Sequence, residues 1–398
     1  MDSIDIVYIY TSASIKIDSV QRKVMSQIDA MNQVGIQCKG LFFTNEIDNI
    51  QSLSTNIDFI PYPITNRKLF NDIKQRKALI NTIISYLNKL PYQFKCLYLR
   101  YPGASYELYL LSKKFKYKLI SEHISKEIIE ILSFKNEFKL SLKPSHFLSY
   151  FQYQLWPIYN EKLWGKLYRK NTILTIVESN ELGNYQLSKG ANTYVVNPNG
   201  IEINKFSVRK VPEFNQEINM VFLKGSTNSS VWNGIDRLIS SIDAYKGKLK
   251  INLFLCGTFS ELEFIKRDYI IQKGYLNQKE LDELFNSIHL GISTMALHRK
   301  GLNELATLKT REYLVRGIPF IYGYIDPDIE MHPAIKKYCL QISNDDVLID
   351  FNLIEKFLFD IYKDKNHAEV MNEWSKNHLD WKVKMENLKV YLKSHNLI

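Results

Sequence analysis

Short apolar runs alternating with helical segments constrain this chain more than any other feature. IDIVYIY (Ile4–Tyr10) is apolar at all but one position, the mark of a strand buried on both faces of a parallel sheet. Helical periodicity over Ser19–Asn32 follows, then a second apolar run, Ile36–Phe43. After a linking stretch with Pro61 and Pro63 come a helical region (Arg67–Leu90), a strand (Phe94–Arg100), a helix (Ser105–Phe115) and a strand (Lys118–His123). Thr172–Val177, Leu182–Lys189 and Thr193–Val196 repeat strand, helix, strand. The second half has strands at Ile218–Lys224, Lys250–Cys256, Tyr269–Gln272, Leu290–Ser293, Ile318–Tyr322 and Tyr338–Ile342. Helices at Gly234–Ala244, Gln278–Ser287, Leu308–Arg316 and Asp346–Tyr362 separate them, and His367–Ser394 is helical and amphipathic. Repeated β-α-β units lead to doubly wound open sheets. A chain of 398 residues exceeds one ordinary core. The sequence therefore predicts an α/β protein of two similar domains joined near residues 198–217.

The net charge of +10 favours an anionic partner. Lysines are dispersed, and no helix-turn-helix, zinc-finger or RNP-like signature is present, so nucleic acid is not expected. Cys38, Cys96, Cys256 and Cys339 have no metal-ligand spacing and read as buried thiols of a reducing compartment. No apolar run approaches the ~18 residues of a membrane span. MDSIDIVYIYTSAS lacks a basic leader region, which points to the cytoplasm.

The most informative chemistry lies in NELATLKTREYLVRGIPFIYG, where Glu304 and Glu312 stand eight positions apart across a loop-to-helix junction. In α/β sheets, small-molecule sites lie where strands end and helix N-termini point outward. Two carboxylates there suit sugar hydroxyls. The first-turn N–H groups of Leu308, Lys309 and Thr310 suit a phosphate. The alternative is a pair of solvated helix charges. One segment breaks the rhythm: 138–170 interleaves Phe147, Tyr150, Phe151, Tyr153, Trp156, Tyr159, Trp164 and Tyr168 with Lys139, Lys143, Lys162, Lys166, Arg169 and Lys170. That pattern suits peripheral contact with a membrane interface, and equally a core-packing helical pair with solvated lysines.

Three pieces in order resemble the retaining GT-B glycosyltransferases of the bacterial capsule and lipopolysaccharide type (the glycosyl transferases group 1 family). VVNPNGIEINKF (Val195–Phe206) is similar to the strand and Asn-Gly turn that enter that family's second domain, and Asn199-Gly200 is a turn dipeptide able to take positive φ. MVFLKGSTNSSVWNGIDRLISSI (Met220–Ile242) is similar to its strand, cationic loop and helix, with Lys224 and Gly225 ending the strand and Asn233 where a lysine often stands. Glu304-x(7)-Glu312, followed by Gly317-Ile318-Pro319, resembles its E-x(7)-E motif, although the usual E-G-F-G opening is here Glu304-Leu305-Ala306-Thr307.

The resemblance implies a GT-B architecture, two Rossmann-like doubly wound domains facing a central cleft. It assigns 1–198 to acceptor binding, 199–365 to the nucleotide-sugar donor, and 366–398 to a helix packing back on the N-terminal domain. Glu304 would meet the donor sugar and Glu312 the ribose. Lys224, Gly225, Asn233, Arg299 and Lys300 would serve the diphosphate, and His123, after Glu122 at a strand end, would face the cleft. The implied activity is metal-independent hexosyl transfer with retention, in surface polysaccharide biosynthesis. The donor is expected to be UDP-linked and the acceptor a glycan or lipid-linked molecule, with no further cofactor. The expected place is the cytoplasm, extending to the inner face of the membrane. The rival readings are a catalytically silent GT-B subunit supporting a partner transferase and a GT-B-type sugar-nucleotide epimerase.

Overall fold

The computed structural model describes residues 3–12, 19–44, 56–62, 71–133, 150–225, 231–259 and 267–398. They form two compact units, one of residues 1–197 with 384–398 and the other of residues 198–383. The first holds strands β1 (Ser3–Ser12), β2 (Cys38–Thr44), β3 (Ile57–Pro61), β4 (Gln93–Arg100), β5 (Leu119–His123), β6 (Leu174–Val177) and β7 (Tyr194–Val196). Their order is β3-β2-β1-β4-β5-β6-β7, and every pairing is parallel. Alternate residues of β1 serve opposite faces: Val7 and Ile9 join a core with Leu41, Leu97, Leu99 and Leu119, while Tyr8 stacks on Tyr98 at 4.3 Å on the other side.

β3 departs from the sequence reading, which makes IDFIP a linker. Pro61 closes this strand, paired with Thr44 at the open edge of the sheet, where its missing N–H costs no ladder bond.

The second unit contains β8 (Glu217–Leu223), β9 (Lys250–Cys256), β10 (Ile270–Gly274), β11 (Leu290–Ile292), β12 (Phe320–Tyr322) and β13 (Cys339–Gln341). The order is β10-β9-β8-β11-β12-β13, again wholly parallel. Its core gathers Met220, Phe222, Leu253, Leu255, Leu290 and Ile292 with Leu238 and Ile242 of the crossover helix Ile235–Ala244. Each such fully buried side chain contributes roughly 1.5–3 kcal/mol. The strand centres therefore hold the sheets, and the strand ends are available for polar chemistry. The helix expected from Asp346 begins instead at Phe351, because Asp350 is its N-cap and accepts from the Asn352 N–H at 2.9 Å. Asp345 and Asp346 are committed to Arg237 and Arg299.

The C-terminal segment is divided. The His367–His378 helix packs on the Leu308–Arg316 helix in the second unit, whereas residues 384–398 belong to the first. There Lys389 Nζ donates to the Val34 carbonyl at 2.6 Å. All four cysteines are buried free thiols. Among the described residues, no helix is long and apolar enough to cross a membrane.

Candidate functional site

In the second sheet the strand order runs outward in both directions from β8 and β11. Crossovers leave on opposite faces there, and a crevice opens beyond the strand ends. Lys224 directly follows β8; it is buried, its ammonium lies over the Phe259 ring at 5.0 Å, and its N–H donates to the Cys256 carbonyl at 2.8 Å. Gly225 follows it and is exposed. Lys309, in the first turn of the Leu308–Arg316 helix, reaches the same edge. Its Nζ donates to Asn233 Oδ1 at 2.9 Å and lies over the Phe222 ring at 4.2 Å. Burial first, and the charge of Lys224 second, push the Lys309 ammonium down to about 7. A cation held by an amide and a ring beside a like charge gains little compensation, so an anion bound here would be strongly stabilised.

The loop carrying Asn233 is fixed by backbone. The Met295 and Ala296 N–H groups donate to the Asn233 and Trp232 carbonyls, both at 3.1 Å. Gly234 caps the next helix with φ 72°, and a Cβ there would lie 3.1 Å from the Ala296 Cβ, so glycine is needed on both counts. Arg299 donates to the Val231 carbonyl at 2.8 Å and pairs with Asp236 at 2.8 Å and Asp346 at 2.6 Å; Lys300 lies over the Trp232 ring at 5.0 Å. Both cations thus brace the loop that presents Asn233. Arg237, buried inside the following helix, ties it to the Met295 and Ser343 carbonyls at 2.7 and 2.8 Å. Sequence reasoning passed over this residue, although an arginine among the apolar positions of GIDRLIS is a readable sign of a buried strut.

Glu304 is half-buried on a short parallel bridge to Ile325. Thr307 then caps the Leu308–Arg316 helix, its Oγ1 accepting from the Thr310 N–H at 3.3 Å. Thr310 is fully buried, so of the three first-turn residues Leu308 and Lys309 are the ones left with partly exposed positions. Glu312 accepts from Arg316 Nε at 3.2 Å and keeps 19% of its side chain exposed; burial raises its carboxyl, against the pull of Arg316.

The Asn199-Gly200 motif clamps this segment. Asn199 Nδ2 donates to the Ala306 carbonyl at 2.6 Å, and Arg311 Nε donates to the Asn199 carbonyl at 2.9 Å. Gly200 does not take positive φ, contrary to the expectation for this turn. A Cβ there would lie 2.8 Å from Trp381 and 2.9 Å from the Leu379 carbonyl, so close approach is what selects glycine. Arg311, fully buried, is held by Asp326 and Asp328.

His123 belongs to the first unit. It is buried at the end of β5, with Nδ1 2.6 Å from Glu127 Oε1, Nε2 3.0 Å from Ser121 Oγ, and its ring stacked on Tyr101 at 4.3 Å. Burial lowers its pKa, with Glu127 opposing. It lines a cavity of about 350 Å³ that also involves Tyr101, Gly103, Ser125, Glu127 and Glu161. The Thr11–Ser14 loop lies in part outside the described residues, as does 138–149 of the aromatic and basic stretch. Of its remainder, Tyr168 and Arg169 are buried while Phe151, Tyr153, Trp156 and Tyr159 are exposed.

No family model matches the chain, and no curated protein sequence does. Solved structures match along its whole length. A glycosyltransferase from Rickettsia africae ESF-5 superposes with a TM-score of 0.63 at 13% identity, over 99% of this chain and 99% of that one. Anabaena HepE, solved with UDP and glucose, gives 0.60 at 12% identity over 98% and 100%. WaaG, a glycosyltransferase of lipopolysaccharide biosynthesis, gives 0.60 at 12% identity over 97% and 99%. The chain therefore has the GT-B glycosyltransferase fold, built from two parallel-sheet α/β domains.

Proposed function

We propose that this protein transfers a hexose from a nucleotide-sugar donor to a glycan or lipid-linked acceptor. The observation that carries this reading is the pair Lys224 and Lys309, gathered with Asn233 at the switch point of the second sheet. A departing diphosphate gains negative charge as the bond from the sugar's anomeric carbon to its oxygen breaks. Preorganised cations at that position stabilise the developing charge without reorganising. Lys309 takes the place left by Asn233, where the resembled family often has a lysine, and Asn233 becomes the acceptor that orients it. Leu308 and Lys309 add first-turn N–H groups. Glu304 holds sugar hydroxyls and Glu312 the ribose. The acceptor oxygen bonds to the anomeric carbon and passes its proton to the diphosphate.

Retention, a UDP-linked donor and a role in bacterial surface polysaccharides follow from the motif resemblance; the HepE and WaaG structures are consistent with that direction. The exposed aromatic row Phe151, Tyr153, Trp156 and Tyr159 supports peripheral attachment to the inner face of a membrane. Flotation with anionic liposomes is expected to carry the protein upward, and its staying in the pellet fraction would remove that part. The decisive assay measures nucleotide diphosphate release from a donor panel by wild type, Glu304→Ala and Glu312→Ala. Donor turnover that falls in both variants is expected. An inert panel despite UDP binding would favour the silent subunit, and turnover without acceptor that yields an epimeric sugar nucleotide would favour the epimerase.

A further inference from the structure

One turn beyond Glu312 the same helix buries a charge that the donor reading does not use. Arg316 is the last residue of the Leu308–Arg316 helix, and its side chain is buried. Its Nε donates to Glu312 Oε1 at 3.2 Å, across the i, i+4 spacing that brings side chains together on one helix face. Its Nη1 pairs with Asp282 of the Gln278–Phe285 helix. The guanidinium lies over the Phe285 ring at 4.7 Å and the Phe206 ring at 5.0 Å, so packing as well as charge fixes its plane. The Arg316 carbonyl accepts from the Arg209 N–H at 3.1 Å, which anchors the backbone at the same point.

Burying a guanidinium is costly unless carboxylates answer it, and its donors then dictate where those carboxylates lie. Asp282 keeps 38% of its side chain exposed, so the more enclosed partner is Glu312. Arg316 takes Oε1 of that carboxylate. Among the described residues Oε2 has no hydrogen-bond partner, and the side chain stays partly exposed. One oxygen is anchored and the other is open to a hydroxyl donor. Burial and Asp282 favour the neutral carboxyl, while Arg316 favours the carboxylate. Tyr313 beside Glu312, and Cys256 at the end of β9, also feel its charge, and burial keeps both neutral.

We infer that Arg316 is a positioning residue: it holds Oε1 of Glu312 so that Oε2 meets a hydroxyl of the donor's ribose as a charged acceptor. The inference rests on the proposed reading in which Glu312 serves the ribose, and adds the group that keeps that carboxylate oriented and ionised. Asp282 works against it, because it draws on the same guanidinium.

The test is calorimetry on the full chain with UDP, GDP, ADP and CDP, then with the 2′-deoxy and 3′-deoxy forms of whichever binds most tightly. The ratio of ribose to deoxyribose affinity cancels the contributions of the diphosphate and Lys309, and it is followed from about pH 8 down to about pH 5. Wild type is expected to favour ribose over at least one deoxy form by about tenfold or more, the usual worth of a hydrogen bond to a charged group. That preference needs the carboxylate, so it is lost as pH falls through the Glu312 pKa. Arg316→Met should cut the preference to under about threefold at neutral pH and move its acid loss to higher pH, because burial and Asp282 then act unopposed. Arg316→Lys should restore part of it. Asp282→Asn should move the acid loss the other way, to lower pH, and this rim variant decides the matter should circular dichroism show the arginine variants unfolded. An unchanged preference and pH profile in Arg316→Met, or an acid loss that does not move down in Asp282→Asn, would overturn the inference alone. A wild type that binds nucleotide without distinguishing ribose, or a preference that survives Glu312→Ala, would overturn it together with the ribose assignment. Binding of no diphosphate at all would sink the donor reading itself, and this inference with it.

Discussion

At the switch point of the first sheet, buried Lys23 lies between two carboxylates, Glu122 at 3.0 Å and Glu178 at 3.1 Å. At the switch point of the second, Lys224 and Lys309 lie beside rings and an amide. The winding is the same and the electrostatic finish is opposite. At the first, carboxylate and ammonium answer each other: burial alone would raise Glu122, yet Lys23, Arg100 and the Tyr8 hydroxyl hold it down at about 2. At the second, burial first and Lys224 second disfavour the charged form of Lys309. Charge paired with charge contributes to rigidity, whereas an ammonium that its surroundings disfavour gains from an anionic ligand. The contrast supports the proposed anion site in the second unit on physical grounds separate from motif resemblance.

The largest effect that would break this contrast is on stability. Lys23→Met strands two buried carboxylates and is expected to cost about 3–5 kcal/mol in urea unfolding. Lys309→Met removes a cation that its surroundings disfavour, so at pH 7 unfolding should be unchanged or shifted toward greater stability. Equal losses in the two variants would erase the distinction.

Next comes activity. Lys309→Met should lower transfer by roughly 10²–10³-fold, the usual cost of deleting one preorganised stabilising group. Steady-state kinetics that stay within about threefold of wild type would remove Lys309 from the site, since that range is below the cost of one such group.

The smallest and sharpest effect is protonic. With Lys309 at about 7 in the free protein, below its ordinary value, the folded state binds fewer protons than the unfolded chain between pH 7 and 10. Stability should therefore rise with pH across that window in wild type, and less so in Lys309→Met. A bound diphosphate favours the charged ammonium, so UDP binding at pH 8 should take up a proton. Calorimetry in two buffers of different ionisation enthalpy would register it, and identical heats would contradict it.

Much of the fold was readable because parallel strands buried on both faces leave near-continuous apolar runs. IDFIP was lost to its terminal proline, which signals a linker until a neighbour shows that the edge tolerates it. The helix was begun at Asp346 and Asp350 was passed over, since capping residues and ion-pairing residues look alike in sequence. Within the site, Lys309 was visible as a first-turn residue, but its hydrogen bond to Asn233 spans 76 positions and leaves no local pattern. The network in which Arg169 meets Glu127, Glu161 and Gln186 was invisible for the same reason. Arg169 sat in a stretch whose basic residues read as facing water or lipid, and it is buried. Short-range motifs report turns and caps, while charge partnerships depend on topology.

The return of residues 384–398 to the first unit bears on synthesis. The second unit is whole in sequence before the first has received all its parts. At roughly 5–20 residues per second, the nascent first sheet waits on the order of ten seconds or longer for Lys389 to reach Val34 and for Leu397 to reach Cys96. The later domain is thus complete in sequence while the earlier one still lacks its last segment.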